Sequence, residues 1–269
     1  MPEIEKRRDI HAELELLRHA AREAGRIAMN YFGQSPEVWL KDGRSPVSEA
    51  DMAVDAYLRE VLLEARPDYG WLSEETVDDR VSATRQRTFV VDPIDGTRGF
   101  IAGQDQWCIS VAIIENGRPL AGVLQCPARA EVIEAGKGIG AFQNGMPIRT
   151  HLPAAGEKLI IASPRRMVDT LPPAWRERVT MQAYVPSLAY RIAMVARGEV
   201  AGTFIRPNSN DWDLAAADLI LAEAGGAILG DNALPLIFGS TQSSHGALVA
   251  ASGNLLQEML NVVAEWPLG

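Results

Sequence analysis

The run Val90-Val91-Asp92-Pro93-Ile94-Asp95-Gly96-Thr97 sets two carboxylates three residues apart, at the end of an apolar stretch that reads as a buried strand. A proline stiffens the interval, and a glycine and a hydroxyl follow at once. Carboxylates beside a core are costly to desolvate unless a cation or hydrogen bonds compensate them. Hard oxygen ligands of this kind suit Mg²⁺, and Gly96 and Thr97 offer backbone N–H groups to a phosphate. Taken alone, the segment has a plainer alternative, an acidic capping turn. Three further acidic clusters weigh against that: Asp51 at a helix start, Glu74-Glu75 after a short strand, and Asp211-Trp212-Asp213 before a helix. Each has an ordinary alternative. Glu74-Glu75 reads as a solvated turn, Asp51 as a capping-box carboxylate, Asp211 and Asp213 as helix N-caps, Thr97 as a turn hydroxyl. A purely structural Ca²⁺ site is disfavoured, because no EF-hand spacing exists and Gly96-Thr97 would have no purpose.

The elements that must carry these groups follow from periodicity. Ile10, Leu14, Leu17, Ala21, Ala24, Ala28 and Phe32 recur at helical spacing, predicting an amphipathic helix over 9–32 that stops near Gly33. Ser45-Pro46-Val47 reads as a turn, with Ser48 as N-cap and Asp51 at N3 of a helix that ends at Arg66-Pro67. Trp71-Leu72-Ser73 is a short strand. Trp107–Glu115 and Pro119–Cys126 form a strand pair around Asn116-Gly117, and Asn144-Gly145 is a second turn. The composition shifts around 150–157, which places a boundary between subdomains 1–150 and 151–269. A strand at Leu159–Ala162, a helix over 187–197 and a helix over Trp212–Ala224 stopped by Gly225-Gly226 complete the reading. Antiparallel strands with helices come first and alternating strand and helix second, so layered sheets and helices are expected around a cleft.

The chain has 269 residues, a net charge of −9 and a pI near 5.0. That balance argues against nucleic-acid polymers and anionic membranes as partners. It also requires any bound anion to find local positive charge, for which metal ions are the ready source. Two cysteines, Cys108 and Cys126, fit a reduced interior rather than a disulfide framework. No apolar h-region opens the sequence and no run has the length of a membrane span, so a cytoplasmic location is expected. The histidines His11, His19, His151 and His245 show no ligand-like pairing and are assigned no chemistry; Trp107, Trp175 and Trp212 read as packing groups.

Asp92-Pro93-Ile94-Asp95-Gly96-Thr97 and Trp212-Asp213-Leu214-Ala215-Ala216-Ala217, running on to Glu223-Ala224-Gly225-Gly226, resemble the signatures of the inositol monophosphatase family of Mg²⁺-dependent phosphomonoesterases. Ser73-Glu74-Glu75-Thr76 and Ser45-Pro46-Val47-Ser48 with Asp51 resemble two further family segments, and the likeness spans about residues 10 to 250 in order. It implies a layered αβαβα sandwich. It implies Glu74, Asp92, Asp95 and Asp213 as ligands of two or three Mg²⁺, with the Ile94 carbonyl adding another. Thr97, hydrogen-bonded to Asp51, would orient the attacking water with help from Glu74, while Gly96 and Thr97 hold the phosphate and Asp213 also meets the substrate. A homodimer sensitive to Li⁺ is implied as well.

On substrate, the resemblance points to a small phosphorylated metabolite. The position before the Trp-Asp signature where inositol phosphatases carry a glutamate reads Arg206, and Arg191 falls where 3′(2′),5′-bisphosphate nucleotidases carry a lysine. Both lean toward a second anionic group. The stretch Ser163-Pro164-Arg165-Arg166 departs from the nucleotidase pattern, and Arg165-Arg166 reads either as a substrate contact or as a solvated loop. Inositol monophosphate and histidinol phosphate therefore remain alternatives, beside a regulatory role exerted through the surface.

Overall fold

A computed structural model describes residues 3–41, 45–76, 85–151, 153–154, 156–230 and 232–264. In chain order the elements are α1 (Glu3–Met29), β1 (Val38–Lys41), β2 (Ser45–Ser48), α2 (Glu49–Ala65), β3 (Gly70–Ser73), β4 (Arg87–Asp95), α3 (Thr97–Ile101), β5 (Cys108–Glu115) and β6 (Arg118–Cys126). There follow β7 (Glu131–Gly136), β8 (Gly140–Gln143), β9 (Met146–Pro147), β10 (Leu159–Ile161), α4 (Arg165–Asp169), α5 (Pro173–Arg178), β11 (Val179–Met181) and α6 (Leu188–Ala196). The chain closes with β12 (Gly202–Ile205), β13 (Ser209–Asn210), α7 (Asp211–Glu223), β14 (Gly226–Gly230), β15 (Ser244–His245), β16 (Leu248–Ser252) and α8 (Gly253–Ala264).

Two sheets organise the molecule. The larger runs β3-β4-β5-β6-β7-β8-β9, parallel only between β3 and β4. The smaller runs β11-β10-β12-β16-β14, with β10 parallel to both its neighbours. Helices α1 and α2 cover one face of the larger sheet, α6 and α7 fill the space between the sheets, and α8 with α4 and α5 closes the far face. The result is an αβαβα sandwich.

Burial on both faces explains why the central strands are apolar without interruption. In β5, Ile109, Val111 and Ile113 point to the α1–α2 side, whereas Cys108, Ala112 and Ile114 point to the α6–α7 side. Alternation of side chains across a strand produces this split. Asn116 and Gly117 both take positive φ (51° and 75°), the geometry a two-residue hairpin turn demands. Where β6 meets α7 the backbones approach closely: a Cβ on Gly122 would lie 2.9 Å from Ala216 Cα.

Some boundaries differ from expectation. Helix α1 begins at Glu3 rather than near 9 and ends at Met29. Its first turns are charged, so no apolar stripe marks them, and Phe32 packs from the turn beyond the helix against Phe100 and Trp107. Ser45–Ser48 is a strand paired with β1 instead of a turn, because Pro46 sits on an edge position that needs no N–H. Of the stretch expected to divide the chain, residues 152 and 155 lie outside the described residues.

Candidate active site

Asp92 and Asp95 occupy the end of β4, and in a regular strand residues three apart face opposite sides. Pairing with β5 slips by one residue between Asp92↔Ser110 and Asp95↔Cys108. A bulge of this kind re-aims side chains, and it lets both carboxylates turn into one cleft. Gly96, at φ 95°, then reverses the chain into α3. A Cβ there would press on the Ser187 backbone at 3.1 Å, so glycine is required by conformation and by space.

Each acid is held by a different element. Asp92 Oδ1 accepts the Ile94 N–H at 3.0 Å. Asp95 is gripped by the start of α6: its Oδ2 accepts from Ser187 Oγ at 2.5 Å and Ala189 N at 2.6 Å, and its Oδ1 from Leu188 N at 3.2 Å. Asp213, at N3 of α7, accepts the Asn210 N–H at 2.7 Å through Oδ2. Glu74 follows β3, its N–H bonded to the Val91 carbonyl at 3.2 Å, while Asp55 receives the Ser73 hydroxyl and the Thr76 hydroxyl and braces the loop. Lys41 Nζ donates to the Glu74 carbonyl and lies 3.4 Å from Glu75. Asp51 accepts the Ser48 N–H at 2.8 Å and hydroxyl at 2.6 Å on one oxygen. Its other oxygen lies 3.2 Å from Thr97 Oγ1, which is also 3.0 Å from the Ile94 carbonyl.

Carboxylate oxygens of Asp92, Asp95 and Asp213 lie within 4.8 Å of one another. A cleft of ≈160 Å³ is lined by these three together with Glu74, Ile94, Gly96, Thr97, Arg98, Pro46, Tyr184 and Pro186. Crowding of like charges in a buried place raises carboxyl pKa values. Burial first, then the charges of Asp213, Glu75 and Asp51, pushes Glu74 up to about 8. Burial and the neighbouring Asp95 push Asp213 to about 7, and Asp92 is raised well above the usual range by burial and by Glu74 and Asp95. Burial also raises Asp95, against the hydrogen bonds from α6 that favour its charged form. Asp51 is raised by burial, opposed by its bonds to Ser48 and Thr97. Such a set is electrostatically incomplete without cations, and its all-oxygen chemistry fits hard divalent metal ions.

The remaining sequence candidates fall elsewhere. Arg191, in α6, is only 8% exposed, its Nε buried without a hydrogen-bond partner, and burial lowers its pKa to about 10. The charges of Asp95, Tyr184 and Arg206 bear on it. Arg206 is exposed, and neither arginine lines the cleft. Arg165 and Arg166 lie exposed on α4. Four groups had no place in the sequence reading of the site: Ser187 and Tyr184 at the cleft, Lys41 at the Glu74 loop, and His245 at the base of α7. Ser187 carried one faint signal, a hydroxyl before an apolar helical run.

The inositol monophosphatase family model matches residues 10–265. A histidinol-phosphatase of Mycobacterium tuberculosis is 32% identical over 263 residues, covering 93% of this chain and 97% of the relative. The Nus factor SuhB of Pasteurella multocida is 30% identical, with coverage of 93% and 95%. Among solved structures, the Thermotoga maritima IMPase superposes with a TM-score of 0.82 at 26% identity, covering 95% of this chain and 97% of that one.

Proposed function

Because the chain belongs to the inositol monophosphatase family, a family of phosphatases, we propose that it is a Mg²⁺-dependent phosphomonoesterase releasing inorganic phosphate from a small phosphorylated metabolite. The observation that carries this reading is the convergence of Asp92, Asp95 and Asp213 beside Glu74 in one cleft. Carboxylates so crowded stay ionised only when a cation compensates them. Glu74, Asp92, Asp95, Asp213 and the Ile94 carbonyl would hold two or three Mg²⁺. When bound, Mg²⁺ cancels the acids' charge, acidifies water and stabilises the charge of the departing alkoxide.

The chain's own groups do the positioning. Thr97 Oγ1, poised between Asp51 and the Ile94 carbonyl, orients the attacking water and passes its proton toward Asp51, whose burial favours the protonated form. Glu74, which lines the same cleft, assists. The N–H groups of Gly96, which caps α3, and of Thr97, its first residue, hold the phosphate, and Asp213 also meets the substrate. By analogy with the family, the enzyme is a homodimer inhibited by millimolar Li⁺; on its own cysteine usage and composition shift, it works in the cytoplasm and divides into subdomains 1–150 and 151–269.

For the substrate, Arg191 and Arg206 lie outside the cleft's lining but add positive charge beside Tyr184 at its rim. That charge favours a second anionic group over inositol monophosphate, and a 3′(2′),5′-bisphosphate nucleotide meets that demand. The exposed Tyr184 ring beside the cleft supplies an aromatic face for a base. A second reading, histidinol phosphate, is favoured by the name of the Mycobacterium tuberculosis relative. Its leaving group, however, brings an ammonium toward the two arginines. Phosphate release from adenosine 3′,5′-bisphosphate, inositol 1-phosphate and histidinol phosphate separates the three. Preference for the bisphosphate that Arg206→Glu reverses supports our reading; a preference indifferent to Arg206→Glu sinks it. Asp95→Asn should abolish Mg²⁺-dependent turnover. If a cellular role survives that change intact, a surface-borne regulatory role, as the SuhB name invites, displaces the enzymatic one.

A further inference from the structure

Only one of the two acids in the first turn of α7 faces the cleft. Asp213 lines it, whereas Asp211 is fully buried. Both oxygens of Asp211 are nonetheless engaged: Oδ1 lies 2.7 Å from His245 Nε2, and Oδ2 accepts the Gly239 N–H at 2.7 Å. Its own N–H donates to the Ser243 carbonyl at 2.8 Å. Every one of these partners belongs to the segment between β14 and β16. His245 in turn pairs with Ser209 across the β13–β15 ribbon, its carbonyl accepts the Asn208 N–H at 2.8 Å, and its ring meets Phe238 edge-on. Phe238 N donates to the Gly117 carbonyl at 3.0 Å, which moors the segment to the β5–β6 turn.

This arrangement bears on Asp213 through one atom. Asp213 Oδ2 accepts the Asn210 N–H, so the orientation of the carboxylate follows the Asn210 peptide. Asn210 sits in β13 between the Ser209–His245 pairing and Asp211 itself. A buried hydrogen-bonded pair of polar side chains adds little net stability compared with apolar packing, but it defines geometry sharply. We propose that Asp211 and His245 are positioning residues, a clasp that fixes the first turn of α7 so that Asp213 presents its free oxygen to the cleft. The proposal rests on the reading of Asp213 as a metal ligand.

The test compares His245→Gln, whose amide can still donate to Asp211, with His245→Leu, of similar size but unable to donate. Activity is titrated with Mg²⁺ at saturating substrate, and the Mg²⁺-induced rise in melting temperature, read without substrate, must shift to higher Mg²⁺ in parallel. His245→Leu should raise the Mg²⁺ concentration for half-maximal activity about ten- to a hundredfold, the usual effect of losing a group that orients a metal ligand. The KM for substrate should stay near that of the parent, and His245→Gln should restore most of the Mg²⁺ response. An unchanged Mg²⁺ midpoint in His245→Leu, or equal shifts in both variants, overturns the clasp. Should His245→Leu fail to fold, His245→Ala replaces it with the same expectations. Asp213→Asn, measured alongside, isolates the premise: if it leaves the Mg²⁺ dependence intact, the ligand reading fails, whereas loss there with a normal His245→Leu defeats only the clasp.

Discussion

At the scale of single residues, the site divides labour between groups that are crowded and one that is shared. Thr97 Oγ1 has a single proton and two acceptors, the Asp51 carboxylate and the Ile94 carbonyl. A hydroxyl so placed can steer a water and pass on its proton. Thr97→Val, which keeps the shape and removes the hydroxyl, should lower kcat by about 10²–10⁴ with little change in KM, and Thr97→Ser should recover most of it. Steady-state kinetics at fixed Mg²⁺ decide the matter; a kcat equal to the parent's would remove Thr97 from the chemistry. Much at this scale was legible beforehand, because Asp92, Asp95, Gly96 and Thr97 are contiguous and their spacing is itself the signal. Ser187 was not. It bonds Asp95 across 92 positions of sequence, and no local pattern records a pairing of that range.

At the scale of elements, precision comes from irregularities. The one-residue slip in β4–β5 brings two carboxylates of opposite parity to the same side, and a regular strand would have wasted one of them. Gly122 allows β6 to touch the backbone of α7 at Ala216, one turn beyond Asp213. Gly122→Ala cannot be absorbed by a flexible side chain, so α7 must move outward. We expect a loss of about 1–3 kcal/mol in stability by denaturant unfolding, with weaker Mg²⁺ response. A variant with unaltered midpoint would show that the contact has slack. The strands β5 and β6 were readable because continuous apolar runs flank an Asn-Gly turn. The edge strand β2 was not, since it buries no regular face; nor were the first turns of α1, whose residues are mostly charged, or the C-terminal strands β14 and β16 with α8, which have no spacing that marks them.

For the whole molecule, acids from four distant parts of the chain converge in one place, within a protein that already carries −9 overall. Without cations, the native state retains protons on Glu74 and Asp213 that an unfolded chain has already released. Stability of metal-free protein should therefore fall as pH rises from the ordinary carboxylate values of 4.5 and 3.8 toward about 8 and about 7. Below those ordinary values the penalty is absent; above about 8 it is complete. Mg²⁺ should restore the loss, most strongly at the alkaline end, and its binding near neutrality should liberate protons. Melting curves with chelator and with Mg²⁺ between pH 5 and 8 test this, and a flat chelator series would contradict it. The layer order was legible from the succession of elements, whereas the seam between the sheets was not, because it depends on how α6 meets β4. That seam has a mechanical meaning. Asp95 belongs to the strand of one sheet and caps the helix lying under the other. It is a rivet through both plates, so any ion drawing on that carboxylate also tightens the joint between them.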